Sequence, residues 1–183
     1  MSTRAAASTL RLAFARATEA DAPAIAALRT ATARDLTARH GRGHWSGETS
    51  ERGVLSELRR GQVWVARRGR AVVGVFQLGT RKPWAIDVSY FTPCRRPLYL
   101  TNMAVRPDWQ RRGVGRRCLE EVIRIAREWP ADAVRLDAYD AAAGAGDFYA
   151  RCGFRPAGGI TYHGVPLLYY ELVHGLSDGS ALD

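Results

Sequence analysis

No stretch of this chain approaches the ~20 consecutive apolar residues that a membrane-spanning helix requires, so a helical membrane span is excluded. Internal repeats, low-complexity tracts and breaks in composition are also missing, and the 183 residues read as one domain able to bury a sizeable core. Cysteine is scarce. Cys94, Cys118 and Cys152 are odd in number, far apart and without a Cys-x-x-Cys pair, which argues against a disulfide framework or a zinc site and fits a reducing cytoplasm. No Cys/His signature surrounds any of them, so none reads as a nucleophile. Lysine is nearly absent: Lys82 is the only one among 27 basic residues. The net charge of +9 is thus carried by arginine, whose abundance, like that of alanine, reflects coding bias. Such an excess still steers anionic ligands toward the protein. Its arginines run from Arg4 to Arg155 without gathering into one block, and most read as solvated surface.

What is present is a clear order of elements. Residues 1–9 lack acids and are rich in Arg, Ala and Ser, like a weak transit peptide, but read as a loose tail, as do residues 175–183. Leu10 to Ala17 alternates as a strand. Thr18 then offers an N-cap with Asp21 three residues later, opening a helix with Ile25, Ala26, Leu28, Ala33 and Leu36 on one face. That helix stops near Gly41, and GRGHWSG (41–47) is a loop. A short helix over residues 48–60 ends at Gly61, placed as a C′ residue. Val63 and Val65, a turn at Arg68-Gly69, and AVVGVFQLG (71–79) form a hairpin. Residues 80–97 hold three prolines with Trp84, Tyr90 and Phe91; they read as a loop that lines a site, or as a strand with an excursion.

The segment LYLTNMAV (98–105) is strand-like with an anomaly. Leu98 and Leu100 occupy even positions and Met103 and Val105 odd ones, so the apolar phase slips between 100 and 103. A β-bulge produces that slip, and so does a strand buried on both faces. Next comes DWQRRGVGRR (108–117), with Gly113 and Gly115 one residue apart. Glycines there let the backbone turn tightly and bring its N–H groups to an anion at a helix N-terminus, a geometry suited to a pyrophosphate. The helix that follows runs to Glu128 with Val114, Cys118, Leu119, Val122, Ile125 and Ala126 as its apolar stripe. Pro130 closes it. Val134, Leu136 and Ala138 alternate with Arg135, Asp137 and Tyr139 in a strand; 142–151 is a short helix capped by Gly153; Phe154 onward and Pro166 to Val173 are the last two strands. A hairpin followed by a strand–helix–strand unit indicates a mixed sheet with helices on its faces.

These segments together resemble the GNAT superfamily of acyl-CoA-dependent N-acetyltransferases. Gln110-Arg111-Arg112-Gly113-Val114-Gly115 is similar to the family's Gln/Arg-x-x-Gly-x-Gly/Ala loop, LTNMAV with Arg106-Pro107 to its central bulged strand, Phe148-Tyr149-Ala-Arg-Cys-Gly-Phe154 to its late helix end, and PLLYYE (166–171) to its final strand. The resemblance covers residues 10–174. It implies a single-domain α/β (α+β) fold: a mixed, mostly antiparallel sheet of about seven strands flanked by helices, with a bulged central strand near 100–103. It implies acetyl transfer from acetyl-CoA, as cosubstrate, to a primary amine of a small molecule or peptide. In that frame the N–H groups of residues 111–116 hold the pyrophosphate, Met103, Ala104 and Val105 pair with the pantetheine arm, and Tyr149 is the general acid toward the departing thiolate. Gln110, Arg111, Arg112 and Arg116 belong to the same cofactor-binding loop. No metal, nucleic acid or membrane partner is implied, and a homodimer suits such a fold.

The chain also departs from the pattern. Tyr99 and Thr101 stand where many family members carry the Glu or His that acts as general base, leaving Asp87, His163 and Glu48 as candidates. Ala142 replaces the asparagine usual seven residues before the tyrosine. Two other readings stand beside the enzyme: a GNAT fold that binds acyl-CoA without catalysis, and a basic domain gripping nucleic acid through Arg111, Arg112, Arg116 and Arg117. For Tyr149 the plain alternative is aromatic packing on a short helix.

Overall fold

The computed structural model describes residues 10–174; the tails read at 1–9 and 175–183 lie outside the described residues. Seven strands form one sheet: β1 (Ala13–Arg16), β2 (Gln62–Arg68), β3 (Ala71–Gly79), β4 (Pro97–Val105), β5 (Ala133–Tyr139), β6 (Arg155–Tyr162) and β7 (Val165–Val173). Their spatial order is β1-β2-β3-β4-β5-β7-β6. Every neighbouring pair is antiparallel except β4–β5, which is parallel and joined by a crossover helix. The helices are α1 (Ala22–His40), α2 (Glu51–Arg60), α3 (Val114–Glu128) and α4 (Gly146–Arg151).

Two buried clusters fix which face each helix covers. On one face α3 and α4 pack Val114, Cys118, Leu119, Val122 and Tyr149 against Phe76, Leu98, Leu100 and Leu136 of the sheet. On the other, α1 and α2 pack Ile25, Leu28 and Val54 against Val63, Val65, Val72 and Val75. The six predicted stripe residues of α3 are all buried. Burying each large aliphatic among them contributes about 1.5–3 kcal/mol, whereas a solvent-exposed pair such as Arg124–Glu128 is screened by water and contributes little. The stripe, not the charge ladder, therefore holds α3 in place. A third cluster of Ile86, Phe91, Tyr99 and Tyr169 seats the 80–97 segment on the same sheet face as α1 and α2.

Local signals mostly act as the sequence predicts, with instructive differences. Thr18 N–H donates to Asp21 Oδ2 at 2.9 Å, closing the expected cap, though a 3-10 turn (Glu19–Asp21) intervenes before α1. Gly61 ends α2 in extended geometry (φ −156°) and not in the left-handed C′ conformation, because the chain enters β2 directly. β1 is four residues long and starts later than predicted, since only Ala13–Arg16 finds a partner in β2. After α4 the left-handed residue is Gly153 (φ +90°): Gly153 N–H donates to Ala150 O and Phe154 N–H to Tyr149 O, both at 3.1 Å, the Schellman pattern. Residues 80–97 form a loop with one 3-10 turn (Val88–Tyr90), so of the two readings the loop is the observed one.

The phase slip is a bulge. Gln77 pairs with Thr101 and Val75 with Ala104, so two steps on β3 oppose three on β4. Asn102 takes up the extra residue with φ +52°. Parallel pairing of β4 with β5 covers only Pro97–Tyr99 against Ala133–Arg135. Beyond Tyr99 the two central strands part, and this opening creates the candidate site.

Candidate functional site

One wall of the site is the turn before α3. Pro107–Trp109 is a 3-10 turn, Arg111 adopts φ +57° and Gly113 φ +85° before α3 begins at Val114. None of the N–H groups of residues 111–116 has a backbone acceptor in good geometry. Alternating left-handed residues ahead of a helix N-terminus turn these donors into an anion-binding concavity. A non-glycine residue such as Arg111 held left-handed costs about 1 kcal/mol or more, consistent with strain kept for function. The two glycines differ in purpose. Gly113 is required by its positive φ, whereas Gly115 lies inside α3, where an added Cβ would stand 3.1 Å from Phe148 Cζ. Gly115 thus lets α4 approach α3.

The opening between β4 and β5 continues from this turn as a cleft of about 820 Å³. Met103, Ala104, Val105, Gln110, Arg111, Gly113, Gly115, Arg116 and Tyr149 all line it, with Thr32, Leu36, Arg39 and His40 of α1 opposite. Two predicted residues of the loop turn their side chains elsewhere: Val114 is buried in the core, and the Arg112 guanidinium sits 5.5 Å from the Trp109 ring centroid. Gln110 Nε2 donates to Val105 O at 3.1 Å, and Thr32 Oγ1 donates to the same carbonyl at 3.3 Å. Gln110 therefore ties the turn to the end of β4, and Val105 O is engaged by the protein itself. Arg116 and Arg117 both pair with Glu120, which weakens the case for an arginine grip on nucleic acid. Arg111 forms no ion pair among the described residues and faces the cleft. Ala142 lines the cleft with Ala143, Gly144 and Ala145, a small-residue wall without polar side chains.

Tyr149 combines its two readings. Its ring is buried against Phe148, Phe154 and Tyr170 at centroid distances of 5.3, 5.9 and 6.0 Å. Its hydroxyl reaches across the opening to Met103 Sδ at 4.0 Å. Burial raises the phenol well above its ordinary value, and the charge of Asp137 raises it further, so it stays protonated and able to donate.

None of the three predicted base candidates lines the cleft. Glu48 pairs with Arg34 on the surface. Asp87 caps the 3-10 turn, accepting from Ser89 N at 3.0 Å and Ser89 Oγ at 2.8 Å, and those bonds hold its carboxyl below the usual range. His163 occupies the β6–β7 turn with φ +47°, packed on Tyr162 at 4.3 Å. Tyr99 is buried in the third cluster and Thr101 pairs with Gln77. Asp137 of β5 does not line the cleft either, but by register it lies next to where β4 and β5 part, two residues beyond Arg135 of the last parallel pair. It is half-buried, has no ion pair, and burial raises its carboxyl. Its charge is felt by the phenols of Tyr139, Tyr149 and Tyr169 alike. The sequence did carry a signal for it: an acid at the centre of a strand whose neighbours Leu136 and Ala138 are apolar.

With this geometry in view, comparison with known proteins decides the family. The family model described as Acetyltransferase (GNAT) family matches residues 24–154, more than half of the chain. The chain belongs to the GNAT acetyltransferases. The family expected from the sequence is therefore the one found. Among curated proteins, the uncharacterized N-acetyltransferase YvbK of Bacillus subtilis (strain 168) is 24% identical over 98 residues, 54% of this chain and 56% of that protein. The chain thus spans about half the length of the curated relative it matches. Solved GNAT-like structures are similar over most of the chain. A ribosomal-protein-alanine N-acetyltransferase from Brucella melitensis has a TM-score of 0.68 at 22% identity, covering 88% of this chain and 99% of that one. The PaiA N-acetyltransferase of Thermoplasma acidophilum, in complex with coenzyme A, has a TM-score of 0.67 at 13% identity, with coverage of 89% and 100%. The yncA protein of Salmonella typhimurium, with acetyl-CoA, has a TM-score of 0.64 at 18% identity, with coverage of 93% and 99%. At such identities they establish the GNAT fold of this chain.

Proposed function

We propose that the protein transfers the acetyl group of acetyl-CoA directly to a primary amine. The observation that carries this reading is the cleft itself. Unpaired N–H donors at 111–116 stand at one end and a protonated phenol at the other, and Asp137 of β5 lies close enough for its charge to act on that phenol. The residues present fit an acyl-CoA: the turn offers donors to a pyrophosphate, Arg111 and Arg116 add charge-assisted contacts, and Met103 to Val105 present a strand edge to the pantetheine arm. The thioester supplies the activated acetyl group.

The remaining work falls to side chains of this chain. Asp137 takes a proton from the substrate ammonium; its burial makes it a stronger base than a surface carboxylate. The freed nitrogen lone pair forms the N–C bond at the thioester carbon as the C–S bond breaks. Tyr149 donates its proton toward the departing sulfur, which leaves as the thiol of CoA; the second proton of the acylated nitrogen restores the Tyr149 phenol, and the proton on Asp137 passes to solvent. Holding both reactants in one cleft contributes through proximity, and the apolar wall of Phe148 and Ala142–Ala145 limits water. The free thiols of Cys94, Cys118 and Cys152 fit work in a reducing compartment such as the cytoplasm.

The test is direct. Calorimetry with CoA, followed by thiol release from acetyl-CoA in the presence of an amine panel, is expected to give binding and amine-dependent turnover. Absence of CoA binding overturns the reading; binding without turnover on any amine favours the non-catalytic acyl-CoA binder.

A further inference from the structure

Asp137 is unusual among the carboxylates of this arginine-rich chain. Every other buried or half-buried carboxylate of the described residues is paired with an arginine, as Asp21 is with Arg67 and Glu171 with Arg155. Asp137 has no such partner. A half-buried charge without a counter-ion is costly in a folded protein, and a cationic ligand would relieve that cost.

Around this carboxylate the fold builds two aromatic walls. Asp137 is the register partner of Tyr169 on β7, so the two side chains share one sheet face. Tyr169 packs edge-on against Tyr90 at 5.6 Å. Its hydroxyl donates to Ala85 O at 2.5 Å and accepts from Asp87 N–H at 3.0 Å, holding the 80–97 segment beside the carboxylate. On the other flank Tyr139, two residues along β5 and on the same face, meets the Trp45 ring edge-on at 6.1 Å. Its hydroxyl donates to His44 O at 3.4 Å, drawing the α1–α2 connection over the end of β5. The large exposed hydrophobics of the described residues are Trp84, Val88 and Tyr90, 82%, 47% and 44% exposed, and all three belong to the segment seated on Tyr169. An unpaired anion between aromatic rings, bordered by exposed apolar surface, has the chemistry of an amphiphilic cation site.

We infer that the acceptor is a primary ammonium carrying an aromatic or other flat apolar body, with its charge on Asp137 and its body between Trp45/Tyr139 and Tyr90. This rests on the amine-acetylation reading above and names the substrate class within it. Arg135 and Arg155 share its sheet face, Glu171 there is taken by Arg155, and Asp87 beside Tyr169 is held by Ser89, so Asp137 is the carboxylate left for an ammonium and a second ammonium finds no free partner. Polyamines and other polycations are therefore poor acceptors.

The experiment measures thiol release from acetyl-CoA with 2-phenylethylamine, n-propylamine and spermidine on the full chain. The expected result is a kcat/KM for phenylethylamine at least tenfold above both other amines. Trp45→Ala and Tyr90→Ala are each expected to raise its KM at least fivefold while leaving the CoA affinity and the thermal midpoint near wild type. Preference for spermidine or propylamine, or unchanged KM in both variants, overturns this inference and leaves the acetyltransferase reading intact. Phenylethylamine binding to the CoA-loaded protein without turnover, lost in Trp45→Ala, supports the subsite and removes the enzyme reading. Neither binding nor turnover with phenylethylamine overturns the subsite.

Discussion

Replacing Tyr149 with phenylalanine separates its two roles, because only the hydroxyl is removed. The ring contacts with Phe148, Phe154 and Tyr170 all survive the change. Within the described residues the hydroxyl meets only Met103 Sδ at 4.0 Å, a weak contact whose loss costs about 0.5 kcal/mol or less. For a domain of this size that shifts the thermal midpoint by about 2 °C at most. If the phenol protonates the departing thiolate, its loss removes a general-acid contribution of about 10²- to 10⁴-fold in kcat, or roughly 2.7–5.4 kcal/mol of barrier. The two scales differ enough to be told apart in one preparation. Thiol release at saturating acetyl-CoA reports kcat, and a calorimetric melt reports stability. Because burial and Asp137 both raise the phenol, the wild-type rate is expected to show no loss from Tyr149 ionisation up to its ordinary value of 10.0. A Tyr149→Phe kcat within threefold of wild type, at an unchanged melting temperature, would refute the general-acid assignment and leave the packing role alone.

Asp137→Asn is expected to lower kcat/KM by at least tenfold and to remove the acidic limb of its pH profile, which lies above 3.8 in the wild type because burial raises the carboxyl. A folded-state value above the unfolded one means stability is lost as pH rises through 3.8 and beyond, so the same variant is expected to melt higher than wild type at pH 7. Asp21 behaves in the opposite sense. Burial alone would raise it, but the Thr18 N–H and Arg67 hold it below 3.8, so its stabilisation is present above that value and lost as pH falls through the lower folded one. Asp21→Asn is expected to flatten acid denaturation monitored by circular dichroism in that range. At Gly113 (φ +85°) an added Cβ meets nothing within 4 Å, so Gly113→Ala is expected to cost about 1–2 kcal/mol in urea melts through backbone strain alone, and Gly113→Asn less. Cys118, buried and with its thiol pushed up to about 12, is expected to resist a thiol reagent in the native state and to react after denaturation.

The strand and helix order, the α3 stripe, the bulge between 100 and 103 and the anion-binding turn were all legible in the chain. Each is written in a local pattern: period 3.6 at Val114–Ala126, a phase slip at Leu100–Met103, and a positive φ that Gly113 alone adopts without strain. What could not be read is how elements distant in sequence meet. Gly61 looked like a left-handed cap because the test for one is local, while its extended geometry follows from entry into β2. Gly115 looked like a second loop glycine, yet its need comes from Phe148 on another helix. The search for a general base at Tyr99 and Thr101, and then at Asp87, His163 and Glu48, followed family positions and residue type. Asp137 gains its meaning from the end of β4–β5 pairing two residues earlier, and from Tyr149 and Tyr169, which different elements deliver.

By itself, then, the sequence determined the elements, the tight turn before α3 and the family, because periodicity, capping and glycine chemistry act over a few residues. The tertiary structure decided where the two central strands part, which carboxylate is left without an arginine, and which aromatic rings surround it. Those are properties of long-range packing: they depend on the register across β4, β5 and β7 and on the segment that folds back over Tyr169. No local pattern encodes a register between strands whose paired residues, such as Ala133 and Val173, lie as far apart in sequence as these do.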